Sequence, residues 1–465
     1  MKKIIYGLLA FSMFSTMSCK QNDNDPVPVD TTDTTSKIVT LSGDISANTT
    51  LSASKKYLLK GFVYVKSGVT LTIEPGTVIT GDKASKGTLV ITRGAKIHAE
   101  GTASKPIIFT SSFAAGARSQ GDWGGLILLG KAPINPADKE AKIEGGLTPT
   151  SGGNEKDYIW YGGSDVNDNS GILKYVRIEF AGTAFTPDNE INGLTMGGVG
   201  AGTTIDYVQV YRSGDDAFEW FGGTVNCKHL IASYTWDDDF DTDFGFSGKI
   251  QFGLAQRVKT IADVSGSNGF ESDNDANGSV NEPKTKSVFS NMTIVGPITA
   301  GNSTSGINAN FQHGAQIRRN SSQSIYNSIF VGFPIGLYID DSKGTATSLN
   351  AEAGTLKFMN NIIAGCPTKF KSASTWSGAA AWYAATATTE LANAEDALLM
   401  DPNKFSAAVS TPNGTPNFLL KAGSPALTGA MAVAGMDNVS YRGAFDGTND
   451  WTSGWATWSA ENTEY

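Results

Sequence analysis

Cysteine and histidine are both scarce, at three residues each in a chain of 465. That scarcity excludes a disulfide-stapled scaffold and argues against a zinc site built from Cys and His. Charge is thin as well: 17% of residues are Asp, Glu, Lys or Arg, and no run of Lys or Arg occurs. With a formal net charge of −9, a phosphate-backbone partner is not expected, and hence no nucleic acid. Long apolar runs are missing too. The N-terminal stretch at residues 4–14 is eleven residues long, too short for a bilayer core of about 30 Å. No long helical pattern separates the strand-like segments, which removes architectures that alternate strand and helix.

What the chain does have is glycine, 53 residues or about 11% against a usual ~7%. These glycines, with Asn, Asp and Ser, divide short β-rich segments at residues 63–65, 69–73, 78–80, 89–92 and 107–110, which alternate with period two. Internal repeats then decide between sandwich, propeller and solenoid. Asp216-Ala217-Phe218-Glu219 aligns with Asp238-Asp239-Phe240-Asp241 and with Asn268-Gly269-Phe270-Glu271, at Phe-to-Phe intervals of 22 and 30. Gly125-Leu126, Gly193-Leu194 and Gly336-Leu337 carry a weaker version of the same corner. In a second series Asn291, Asn327 and Asn360 each precede a Gly by five residues, at intervals of 36 and 33. Tyr175 and Tyr207 open earlier copies of that strand.

A shortest period near 22, lengthened by insertions at some coils, predicts a parallel β-helix with coils about 4.8 Å apart. Phe218, Phe240 and Phe270 are then an inward stack, and the three asparagines a ladder whose amides bond along the axis. These features resemble the right-handed, pectin-lyase-like β-helix family over about residues 38–370, and the right hand is taken from that resemblance. Residues 371–465 break the pattern and are expected to cap the solenoid. A short helix is expected over 389–400, and Trp451, Trp455 and Trp458 have two readings: packing on the helix flank or stacking on carbohydrate. Cys227 and Cys366, 139 residues apart, are expected as buried thiols.

The N-terminus has the texture of an address. Lys2-Lys3, the apolar stretch and the small-residue exit Ser18-Cys19 resemble a bacterial lipoprotein signal over residues 1–18, with Cys19 diacylated in the mature protein. Losing Lys2 and Lys3 takes the net charge to −11. Residues 19–37 read as a tether, and Asp23 and Asp25 resemble the surface-export signal of Bacteroidetes lipoproteins. The resemblance implies an outer-membrane, surface-exposed protein held to the membrane by lipid.

Chemistry concentrates on the coils between 205 and 275. The residues after each inward Phe, namely Glu219, Asp241 and Glu271, fall on one outward column, with Asp216 and Asp238 in the preceding turn. Carboxylates about 5 Å apart repel unless protonated, hydrogen-bonded or bridged by a cation. Such an all-oxygen set suits Ca²⁺, which takes about six to eight oxygens at roughly 2.3–2.6 Å. Asp216, Glu219, Asp238, Asp241 and Glu271 are therefore the candidate metal ligands. A solvated acidic face and catalytic carboxylates are the other readings. Trp220 and Trp236 are the candidate carbohydrate-binding residues.

Polygalacturonases of this fold carry Asn-Thr-Asp, Asp-Asp and Gly-His-Gly elements in that order. Here Gly214-Asp215-Asp216 and Asp241-Thr242-Asp243 occur in reverse order, and His313-Gly314 lacks the leading glycine. A lyase needs a base beside the acids, yet Arg212, Lys228, Arg318 and Arg319 sit in no recognisable lyase motif and are expected to be solvated or paired with carboxylates. The expected function is binding, of a glycan or an outer-membrane partner protein. A Ca²⁺-dependent polysaccharide lyase or glycosidase, and a structural spacer, are the alternatives.

Overall fold

The computed structural model describes residues 38–186, 189–405 and 412–465. The expected leader, Cys19 and the expected tether, residues 1–37, lie outside the described residues. Twenty-six strands join in one parallel array, wound as a right-handed β-helix with three faces. The first face runs through Thr49–Leu51, Thr70–Ile73, Lys96–Glu100 and the leading halves of longer strands such as Gly171–Glu179, Thr204–Tyr211 and Cys227–Ser233. The trailing halves of those strands build the second face with Val78–Gly81, Ile107–Ser111, Ile329–Val331 and Ile362–Ala364. The third face stacks Thr88–Ile91, Gly125–Leu129, Leu194–Gly197, Phe218–Phe221, Phe240–Asp243, Phe270–Ser272, His313–Ile317, Ile335–Ile339 and Thr368–Ser372.

Period-two alternation sends one side chain of each pair inward. Leu89, Leu126, Leu194, Phe218 and Phe240 pair in register, and Phe240 pairs with Phe270. Both repeat series of the 218 corner are therefore one column. Phe218 and Phe240 stack at 5.7 Å and 9°, Phe240 and Phe270 at 5.2 Å and 29°. All three are fully buried, so the expected stack is present. Cys227 and Cys366 are buried free thiols.

The asparagine series has a different cause from the one expected. Asn291, Asn327 and Asn360 hold φ of 56°, 49° and 57°, and Tyr175, Tyr207, His229 and Phe252 hold the same left-handed conformation on earlier coils. This column is the corner between the first and second faces. Five residues on, Phe180, Arg212, Tyr234, Gly332 and Gly365 are left-handed again. At Asn327 and Asn360 the Asn-to-Gly spacing thus measures the second face between two corners, whereas Gly296, five residues after Asn291, is not left-handed. Asparagine and glycine tolerate that conformation best.

No amide of the series bonds another along the axis. Asn360 Nδ2 donates to Gly429 O (3.0 Å), Asn327 Nδ2 to Met431 O (2.9 Å), and Asn291 Nδ2 to Tyr441 O (2.9 Å). These contacts clip the C-terminal segment to the corner. It runs back along the flank: Gln251 exchanges hydrogen bonds with Asp437, Gln209 with Thr457, and Tyr465 Oη reaches Glu179. On the earlier coils Trp455 packs edge-on to Tyr175 and Tyr207, and Trp451 to Tyr207 and His229. Trp455 and Trp458 are buried, which is the flank-packing reading of the tail.

The helix expected over 389–400 does not form. Thr389–Leu391 instead pairs as a strand with Ile362–Ala364. One 3₁₀ turn follows at Ala394–Ala397, where Asp396 accepts from Asn393 N and Leu398 turns left-handed at φ 55°, ending it. The end of the solenoid is covered by the short helix Ala379–Ala384, whose Tyr383 stacks on Phe370 at 4.5 Å. Phe370 is paired with Leu337 on the inward column.

Candidate functional site: a carboxylate face

On the third face Thr195, Glu219, Asp241, Glu271, Gln316 and Tyr338 pair in register as one outward column. The alternation that points Phe218 inward points Glu219 outward and Trp220 inward again. Trp220 is fully buried, stacked on Phe246 at 5.3 Å. It has no face left for a sugar, and the sequence expectation for it is corrected. Trp236 lies in the turn before Asp238 and is exposed.

Asp216, Glu219 and Asp241 place carboxylate oxygens within 4.8 Å of one another, as do Asp215, Asp216 and Asp237. Asp238 and Glu271, grouped with them by sequence, belong to neither trio. Asp238 works as a step in a staircase between coils. Asp216 Oδ1 accepts from Asp238 N (2.8 Å), Asp238 Oδ1 from Asn268 N (2.5 Å), and Asn268 Oδ1 from His313 N (3.1 Å). Glu271 is ion-paired with Arg318, which also meets Asp273 at 2.9 Å, and Arg319 pairs with Asp273 as well. Arg257 is spent on Asp239, both fully buried at 2.8 Å. Among the described residues no ion pair reaches Asp216, Glu219 or Asp241. Arg212 and Lys228 pair with Glu461 and Asp437, away from the face.

The acids are consequently hard to ionise. Burial, then the charges of neighbouring carboxyls, holds Asp216, Glu219 and Asp241 well above the usual carboxylate range. Burial raises Asp237 to about 6, and raises Glu271 to about 8 even against the Arg318 guanidinium. Glu144 was not visible from sequence. It comes from a loop 75 residues before Glu219, shares Asn192 with it, and is raised to about 7 by desolvation. Burial beside Lys371 keeps His313 neutral, down to about 3.

Asp241 Oδ1 is buried without a hydrogen-bond partner. The oxygens of this set come from carboxylates alone, which is the chemistry of a hard cation such as Ca²⁺. The residues therefore fit a divalent ion, with Asp216, Glu219 and Asp241 as the protein oxygens that would hold it.

The family described as the pectate-lyase like beta helix domain matches residues 43–403. This chain belongs to that family. A solved structure of pectate lyase Pel9A is similar to this pectate-lyase-like chain at 16% identity, over 82% of this chain and 88% of that one, with a TM-score of 0.40. No curated protein sequence matches it. Membership in the pectate-lyase-like family accounts for the coil stacking.

Proposed function

We propose that the protein is a lipid-anchored surface protein of the outer membrane that binds an acidic polysaccharide through Ca²⁺ at the carboxylate face. The observation that carries this reading is the trio Asp216, Glu219 and Asp241, with oxygens within 4.8 Å and no ion pair to any of them among the described residues. A bound Ca²⁺ would neutralise these carboxylates and leave coordination positions for an acidic group of the polymer. Binding is favoured over cleavage by the state of Arg318. Glu271 and Asp273 hold its guanidinium protonated, against its own burial, so it serves as a carboxylate partner and not as the base that β-elimination needs.

The test is binding of polygalacturonate in Ca²⁺ and in chelator, with product release followed in the same samples. Binding that requires Ca²⁺, without release of unsaturated ends, supports the reading. Binding that is unchanged in chelator overturns the cation's role, and turnover abolished by Asp241→Asn would replace binding with a lyase. The anchor is tested by Cys19→Ser, which should move the protein from the membrane fraction to the soluble one, because the acyl chains supply attachment. A mutant still found with membranes refutes lipidation at Cys19.

A further inference from the structure

We infer that Trp236 is a sugar-stacking platform beside the carboxylate face, taking the apolar side of a pyranose ring in the bound polymer. This rests on the polysaccharide reading above and adds a subsite to it. Trp236 is 36% exposed, and the neighbouring Val264 is 89% exposed. A large apolar ring left in water ordinarily wanders or folds down onto the surface. This one is fixed.

Its Nε1 donates to Asp263 Oδ1 at 2.7 Å. Its carbonyl accepts from Asp263 N (3.0 Å) and Ser267 Oγ (2.8 Å), and its own N–H donates to Ser213 O (3.0 Å). Asp263 is itself held, its Oδ2 accepting from Ser265 N (2.8 Å) and Ser265 Oγ (2.6 Å). The same Ser265 hydroxyl lies 2.8 Å from Asp237 Oδ2. Asp237 belongs to the carboxylate trio with Asp215 and Asp216. A short chain of hydrogen bonds therefore sets the indole relative to the acids.

Because the chain satisfies the indole N–H, the ring offers a ligand only its faces. That suits stacking against C–H groups and not hydrogen bonding. Gly214 holds the place equivalent to Trp236, and a Cβ there would meet Gly182 O at 2.6 Å. The coil before Trp236 therefore carries no side chain at the position equivalent to the indole. A polymer held at the acids by a cation and lying along the turn would meet an oriented ring within a residue or two of its anchor.

The experiment is calorimetric titration of an oligogalacturonide into the full chain in Ca²⁺, for the parent, Trp236→Phe and Trp236→Ala. Loss of the ring should weaken binding roughly three- to tenfold, and Trp236→Phe should recover most of it. The Ca²⁺-induced rise in melting temperature should be the same in all three, because the indole supplies no ligand. Equal affinity of Trp236→Ala and parent overturns the platform while leaving the polysaccharide reading in place. A parent that binds no oligogalacturonide in Ca²⁺ overturns both. A Trp236→Ala protein that loses the Ca²⁺ shift as well would assign Trp236 to the fold of the turn, and overturns the platform too.

Discussion

Asp241→Asn should make the protein more stable when divalent cations are chelated. Asp241 shares an oxygen cluster with Asp216 and Glu219 in which no separation exceeds 4.8 Å. Two unit charges at that distance repel by about 3.5 kcal/mol at an effective dielectric near 20, so full ionisation would cost about 7 kcal/mol for the two pairs that include Asp241. Burial and the neighbouring charges, which push Asp241 well above the ordinary carboxylate range, favour holding a proton over that cost. Doing so at pH 7 for a group whose ordinary value is 3.8 costs about 4 kcal/mol, at about 1.4 kcal/mol per pH unit. An amide needs no such proton. The mutant should therefore gain about 2–4 kcal/mol at pH 7 in chelator, with the gain fading toward pH 4.

The sign follows from proton linkage. Raised carboxyls bind more protons folded than unfolded, so their contribution is fully present below about pH 4 and is lost as pH rises through the folded values. Asp237 at about 6 and Glu271 at about 8 mark the window. Denaturant titrations of both proteins at pH 4, 7 and 8, with and without Ca²⁺, read the effect. A mutant less stable than the parent in chelator at pH 7, or a parent whose stability does not fall across that window, refutes the account. In Ca²⁺ the gap should close, because a ligand at about 100 times its Kd stabilises the parent by about 2.7 kcal/mol. Mg²⁺ at matched ionic strength should not reproduce it.

Two further predictions concern the frame. Phe240→Ala opens a cavity between two stacked rings and should cost about 3–5 kcal/mol; a cost like that of an exposed substitution would mean the inward register is wrong. Asn327→Ala removes three hydrogen bonds, to Ser290 Oγ (3.1 Å) and to both Met431 N and O (2.9 Å each), and places a Cβ residue with less local support in a left-handed corner. It should cost about 1–3 kcal/mol and speed hydrogen exchange across residues 429–443, and unchanged protection there would show that the clip is not what holds the segment.

The column Leu126, Leu194, Phe218, Phe240 and Phe270 was legible in the sequence, because a solenoid repeats each inward position once per coil and bulky residues recur there. The same alternation carried Glu219 and Asp241 outward together. It also required Trp220 to face inward, and its nomination as a sugar contact ignored the period. The Asn–Gly spacing was visible as a pattern but not as a cause. Five residues between two left-handed corners look the same in sequence as five residues leading into one turn. Glu144 and Asn192 escaped because they reach the face from loops and neighbouring coils at separations that no local period encodes, whereas Arg318 is paired with carboxylates as its sequence reading allowed. The 389–400 segment misled through composition: its Ala and Leu are good helix formers, but an open strand edge at Ile362–Ala364 drew Thr389–Leu391 into the sheet.

The returning C-terminal segment changes what kind of object the solenoid is. A stack of coils in which each touches only its neighbours can melt from either end, one coil at a time, as a linear array. Here residues 429–465 fasten the coil of Asn360 and the coil of Glu179 to one strip of chain, and Lys56 near the first coils also meets Tyr465. Fraying at one end then has to peel the strip as well, so the array should behave as a closed loop with a single cooperative transition. The same closure sets an order of events in assembly. The corner rings of Tyr175, Tyr207, His229 and Phe252 stay uncovered until the last residues arrive, and that late, long-range docking makes completion slow relative to the winding of the coils.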